Sequence, residues 1–286
     1  MKAIKCSKMF DSQTGKVREN VVIFTDGERI TAVTPAAEAV LEGCEVIDLT
    51  GKFVTPGLCD CHMHLASNGE GSSMGTAPYE TLGTATLKAV NNVKADLMAG
   101  FTSVRSCGDQ GFLDVAIRNA VDRGDIPGPR LMVCGSPISS TGGHADSHYN
   151  PYIHDGVVMS GYAADGPAEM MKGVRYNIKY GADYIKFMGT GGVMSLGTTV
   201  GAQQMSLEEM KAICDTAKMY GMTPAQAITA ATRTASELMR KQDSIGSIEP
   251  GKYADIVAFD GDPMADIKAM NCCCFVMKGG QVYKEA

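Results

Sequence analysis

The chain has 286 residues, 44% hydrophobic and 20% charged, the balance of an ordinary globular protein with enough apolar content for one large domain or two smaller ones. Its 26 Lys and Arg stand against 32 Asp and Glu, a net charge of −6, which lacks the basic footprint of a nucleic-acid binder. No apolar run is long enough to span a bilayer, so the sequence predicts neither a nucleic acid nor a membrane as partner.

In chain order, residues 1–56 read as short strands and turns. Residues 21–24 form a strand, Asp26-Gly27 a hairpin-type turn and residues 29–33 the next strand. Residues 46–49, before Gly51, continue the pattern. An apolar stretch through Leu58 then leads into a close histidine pair, His62 and His64. Residues 85–99 have helical character and stop at Gly100. A strand at 101–105, a helix at 113–122 before Gly124, and a strand at 130–134 follow. A helix at 167–180 is closed by Gly181, and residues 183–188 read as a strand. Ser206 opens a helix to Tyr220, with Glu208 and Glu209 in its first turn, where the helix dipole favours acids. Residues 255–260, 275–277 and 281–283 return to strands, the last two joined at Gly279-Gly280.

Both ends are thus strand-rich and are expected to share one small sheet. The middle alternates strand and helix four times, which predicts a parallel sheet covered by helices. In such folds chemistry gathers at the C-terminal ends of the strands. The histidine pair, the loop after Cys134, and Lys186 all fall there.

His62 and His64 stand at i and i+2, so on an extended strand both rings point to one face. Two imidazoles so placed can ligate one divalent ion; two histidines in a polar loop is the plainer alternative. His144, in Thr-Gly-Gly-His-Ala-Asp-Ser-His, stands either beside a substrate or simply in a glycine-rich loop. His144, His148 and His154 are too irregularly spaced across Pro151 for a local zinc cluster. Gly189-Thr190-Gly191-Gly192 lacks the spacing and the following Lys-Ser/Thr of a phosphate loop. Cys272-Cys273-Cys274 suits a core strand better than a metal site, because successive strand residues face opposite ways. The ten cysteines have no regular spacing and read as reduced thiols. The N-terminus turns polar within a few residues, unlike a signal peptide, and a cytoplasmic location is expected.

Pro-Gly-Leu-Cys-Asp-Cys-His-Met-His-Leu, residues 56–65, resembles the PGLID-x-H-x-H signature of the amidohydrolase superfamily of metal-dependent hydrolases. The likeness continues through 99–105, 128–131, 141–146, 181–186 with 190–193, and 246–257. It is most specific for the branch holding imidazolonepropionase-like enzymes and Xaa-Arg or Xaa-Pro dipeptidase-type amidohydrolases. The resemblance implies an α/β fold: a partial (β/α) TIM-type barrel of about four βα units at 57–244, and a small β-sandwich built from 1–56 and 245–286. It implies a site for two divalent metals, usually zinc, with His62 and His64 on the first. Lys186 would be the lysine that carbon dioxide converts to a bridging carbamate, and His144 would lie beside the substrate. The implied reaction is hydrolysis of a C–N bond in a small molecule such as a dipeptide or an N-acyl amino acid.

The family's remaining ligands are histidines at strands five and six and a proton-accepting aspartate at strand eight. No histidine follows His154, and no aspartate stands where the last is expected. After Gly221-Met222 the chain passes to 223–232, which resembles the helix after strand eight. The segment 57–244 is also short of the roughly 250 residues of a full barrel. The junction near Gly221–Thr223 therefore reads as an internal deletion of on the order of 100 residues on that scale. Two expectations follow: an active hydrolase, or a truncated and inactive one that keeps at most weak metal binding. Homo-oligomerisation stays open, since half-barrels could cover each other's exposed strand edge.

Overall fold

A computed structural model describes residues 1–67, 80–146, 161–192, 199–220, 241, 243–262, 269 and 272–285. The first half contains β1 (Lys2–Asp11), β2 (Lys16–Asp26), β3 (Arg29–Pro35), β4 (Glu45–Pro56), β5 (Leu58–Met63), helix α1 (Leu82–Met98), β6 (Phe101–Ser106), α2 (Leu113–Arg123) and β7 (Arg130–Met132). Then come β8 (Ile138–Ser139), β9 (Tyr162–Ala163), α3 (Gly166–Lys179), α4 (Leu207–Met219), β10 (Ile256–Phe259), β11 (Cys273–Lys278) and β12 (Gln281–Lys284). Among the described residues no helix is long and apolar enough to cross a membrane.

Both ends of the chain build one seven-stranded sheet in the order β12-β11-β10-β4-β1-β2-β3. The period-2 alternation of a strand explains its two cores. On β2, Val21 and Ile23 enter a core with Ile4, Leu49, Val54, Ile256 and Phe275. Val22 and Phe24 point the other way, with Ala3, into a second and smaller one. Each fully buried Ile or Phe here contributes about 1.5–3 kcal/mol. Arg29 forms an antiparallel bridge with Tyr253, so the sheet curls and β3 returns towards the start of β10. Of the triple cysteine, Cys272 stands exposed just before β11, while Cys273 is buried and Cys274 half-buried at its start.

The chain leaves this sheet at Gly57. A Cβ there would lie 2.0 Å from Thr102 Oγ1, so only glycine lets β5 pass that close to β6. Strands β5, β6 and β7 form a parallel three-stranded sheet. Helix α1 covers it with Ala85, Ala89, Val93 and Leu97, a stripe at every fourth residue. Thr81 caps that helix by accepting from Thr84 N–H at 3.2 Å. Leu97 also reaches Val257 and Phe259, and so joins the helical layer to the seven-stranded sheet. A second junction pairs Arg130 with Asp255, whose other oxygen accepts from Gly279 N–H at 2.9 Å.

The fourth expected strand, at 183–188, is not a regular ladder strand. It makes one parallel bridge, Ile138 with Phe187. Asp183 donates its N–H to Val133 O at 2.8 Å, and Ile138 N–H donates to Lys186 O at 2.9 Å. The cause lies in the neighbouring segment. β7 ends early because side chains take the backbone bonds that a strand would take. Asp114 accepts from the N–H groups of Cys134 and Gly135, and Asn177 both accepts from and donates to the Ser136 backbone. Gly135 is left-handed at φ 69°, and Pro137 has no N–H to give. The segment bearing Lys186 still runs beside β7 and β8, in the place of a fourth strand.

Candidate functional site

The C-terminal ends of the parallel strands gather one group of polar residues. His62 and His64 stand at the end of β5, both exposed. Their ring centroids are 5.7 Å apart and the rings meet edge to face. Two imidazoles on one zinc ion, with Zn–N near 2.1 Å, have centroids about 5 Å apart, so the pair fits a shared ion. The β5–β6 register slips between Asp60 and Met63. At that slip Asp60 accepts from His62 N–H at 2.8 Å, and Arg105 Nε donates to Cys61 O at 2.8 Å.

His64 Nδ1 lies 2.6 Å from Gly108 O. A carbonyl only accepts, so Nδ1 carries the proton, and Nε2 is left as a lone-pair donor. This is the arrangement of a metal-ligating histidine, whose other ring nitrogen donates to a carbonyl or carboxylate. Partial burial pushes the His62 imidazole below its ordinary pKa. The charges of Lys186 and Arg105 act in the same direction, against Asp60. The neutral form is the one a metal requires.

Lys186 is tied to the start of β8, where its carbonyl accepts from Ile138 N–H at 2.9 Å. The half-buried lysine belongs to the irregular segment beside β7 and β8, close enough for its charge to act on His62. Asp183 fixes this segment by accepting from Val133 N–H at 2.9 Å and pairing with Arg118 at 2.6 Å. Tyr184 adds a bond from its hydroxyl to Ser106 O at 2.5 Å. The fold therefore brings His62, His64 and Lys186 to one end of the sheet. His144 stands on a separate loop, its N–H on Gln204 Oε1 at 3.0 Å. Its ring packs on Gly192, where a Cβ would lie 2.2 Å from the imidazole. Gly192 thus serves as a floor for His144. His148, His154 and the 221–232 junction lie outside the described residues.

Among the described residues no three His, Cys, Asp or Glu side chains converge as a metal cluster. The donor set at this end is two histidines with Lys186 nearby, which fits one divalent ion. Sequence reasoning missed the groups beneath the pair: the Gly108 carbonyl, Asp60 and the buried Asp109. The only signal for Asp109 was an acid three residues past a strand end, in Cys-Gly-Asp-Gln-Gly.

The model of the Amidohydrolase family matches residues 53–223 and 215–283. The ochratoxinase of Aspergillus niger is 32% identical over 186 residues, covering 57% of this chain and 36% of its own. An adenine deaminase from Mesorhizobium japonicum is 24% identical in an alignment of 343 residues, covering 93% of this chain and 54% of its own. The chain thus spans about a third of the first relative and about half of the second. The crystal structure of a prolidase complexed with N-methylphosphonate-L-proline superposes with a TM-score of 0.86 at 22% identity, over 100% of both chains, a likeness of mixed α/β fold. By the extent of the family match, the chain belongs to the amidohydrolase family.

Proposed function

We propose that this chain is a metal-dependent hydrolase of a carbon–nitrogen bond in a small molecule, a dipeptide or an N-acyl amino acid. The observation that carries it is the histidine pair at the end of β5, with His64 Nδ1 on the Gly108 carbonyl at 2.6 Å. His62 and His64 would hold a divalent ion, with zinc the best match to their imidazole donors. Lys186 would be the third donor, once its amine has added carbon dioxide and lost a proton to become a carbamate. His144 would stand beside the substrate. An ion held there would polarise the amide carbonyl and make water nucleophilic near neutral pH. The prolidase and ochratoxinase among the relatives support the substrate class, and the parallel strands with their flanking helices support a partial barrel. The sheet from both termini, curled around the larger of its two cores, supports a sandwich-like second domain built from 1–56 and 245–286.

A second reading has its own support: a truncated member that binds metal and does not turn over. The family match comes in two pieces that meet at 215–223, where the sequence places its internal deletion. The adenine deaminase alignment, at 343 residues, is longer than this chain of 286, so that relative carries residues without a counterpart here. The two readings separate in one assay. Purified chain with added zinc is given Xaa-Pro dipeptides and N-acyl amino acids, beside a His62→Ala control. The hydrolase reading expects zinc-dependent release of the amino acid, abolished in the control. Zinc binding without any such release favours the truncated reading.

A further inference from the structure

Asp109 lies buried beneath the histidine pair, only 5% exposed. Its Oδ2 accepts from Leu65 N–H at 2.9 Å and from the Ser106 hydroxyl at 3.2 Å. Its Oδ1 accepts from Ala66 N–H at 3.1 Å. Leu65 and Ala66 are the two residues that follow His64. On the other side of His64, Met63 O accepts from Cys107 N–H at 2.7 Å. Gly108 O takes the His64 ring itself, and Gly108 N–H donates to the Ser106 hydroxyl at 3.2 Å. Residues 106–109 therefore grip residues 63–66 at consecutive points. Gly108 is left-handed, and a Cβ there would lie 2.3 Å from the Pro137 ring, so the cradle has one backbone shape. A carboxylate at such depth is costly unless its oxygens are satisfied, and here both are, by the backbone that carries a ligand.

We propose that Asp109 is a positioning residue of the metal site: by fixing Leu65 and Ala66 it holds the His64 ring on the Gly108 carbonyl, with Nδ1 protonated and Nε2 presented to the ion. The geometry stands by itself; its consequence for metal rests on His62 and His64 being ligands. The carboxylate is specifically required. Each of its oxygens faces a backbone donor, and asparagine would turn an NH2 group towards one of them.

The test uses the full chain labelled with 15N-histidine and free of metal, at about pH 8, where imidazole is neutral. Long-range proton–nitrogen spectra report each ring's tautomer, and a His64→Gln variant identifies the His64 signal among the five histidines. Wild type is expected to show His64 as the Nδ1–H form. Asp109→Asn is expected to show a mixture of tautomers and zinc affinity about 10–100-fold weaker, the range for lost supporting partners of a ligand. Ser106→Ala, which removes only the hydroxyl link, should move both readouts the same way by less. An Asp109→Asn protein that folds, keeps the Nδ1–H form and binds zinc as wild type overturns the proposal. If that variant does not fold, an unchanged tautomer and zinc affinity in Ser106→Ala overturn it instead. A tautomer change in Asp109→Asn, with no zinc bound even by wild type, upholds the cradle and overturns the metal reading.

Discussion

Asp96, on α1, lies close enough to Asp60, two residues before His62, for the charge of one to act on the other. Burial pushes the Asp96 carboxyl up to about 6 from its ordinary 3.8, and the charge of Asp60 adds to the shift. Its buried Oδ2 has no partner among the described residues. Because the folded value is the higher one, the folded protein binds the extra proton between pH 3.8 and 6. The destabilisation by the charged form is complete above that window and fades as the pH falls through it. Asp96→Asn is therefore expected to raise the thermal midpoint at about pH 8, with the gain gone near pH 3.8. A gain of equal size at both pH values would show that the effect is packing and not charge. Asp109 is the opposite case at this scale, a buried carboxylate whose oxygens are all engaged. Its local sequence says little of this, because two of its three partners, Leu65 and Ala66, lie 44 and 43 residues away.

At the scale of elements, α4 begins with a reciprocal cap. Ser206 N–H donates to Glu209 Oε2 at 2.7 Å, and Glu209 N–H donates to the Ser206 hydroxyl at 3.2 Å. Glu209 also accepts from Gly166 N–H at 2.7 Å, tying α4 to the start of α3. Those backbone bonds, to Gly166 first, hold the Glu209 carboxyl below its usual range. Ser206→Ala removes one half of the cap and is expected to cost about 1 kcal/mol, read as a lower denaturant midpoint at constant slope. No change in midpoint would mean that α4 is held by its packing alone. This helix start was legible in the sequence, as were strands with clean alternation and helices closed by glycine, because each depends on neighbours within a few residues. The fourth parallel strand was not. Its ladder is displaced by Asp114 and Asn177, which reach backbone groups 20 and 41 residues away. Periodicity at 183–188 reports burial of Tyr184 and Ile185 and is silent about which group takes each hydrogen bond.

At the scale of the molecule, the seven-stranded sheet is the base on which the site is mounted. The chain passes from β4 through Gly57 directly into β5, and four residues after Leu58 it reaches His62. Leu97 and the Arg130–Asp255 pair lock the parallel strands to that base. The histidine pair was legible from its spacing, while its proximity to Lys186 required the fold, since 124 residues of chain separate His62 from Lys186 (186 − 62). No histidine follows His154 in the sequence, so both functional readings rest on how much metal the histidine pair holds with Lys186 nearby. Metal analysis of purified wild type, dialysed against zinc beside His62→Ala, answers that most directly. Wild type is expected to retain zinc at no more than one ion per chain, as two histidines and one lysine allow, and the variant to lose it. Equal zinc in both proteins, or none in either, would contradict this expectation.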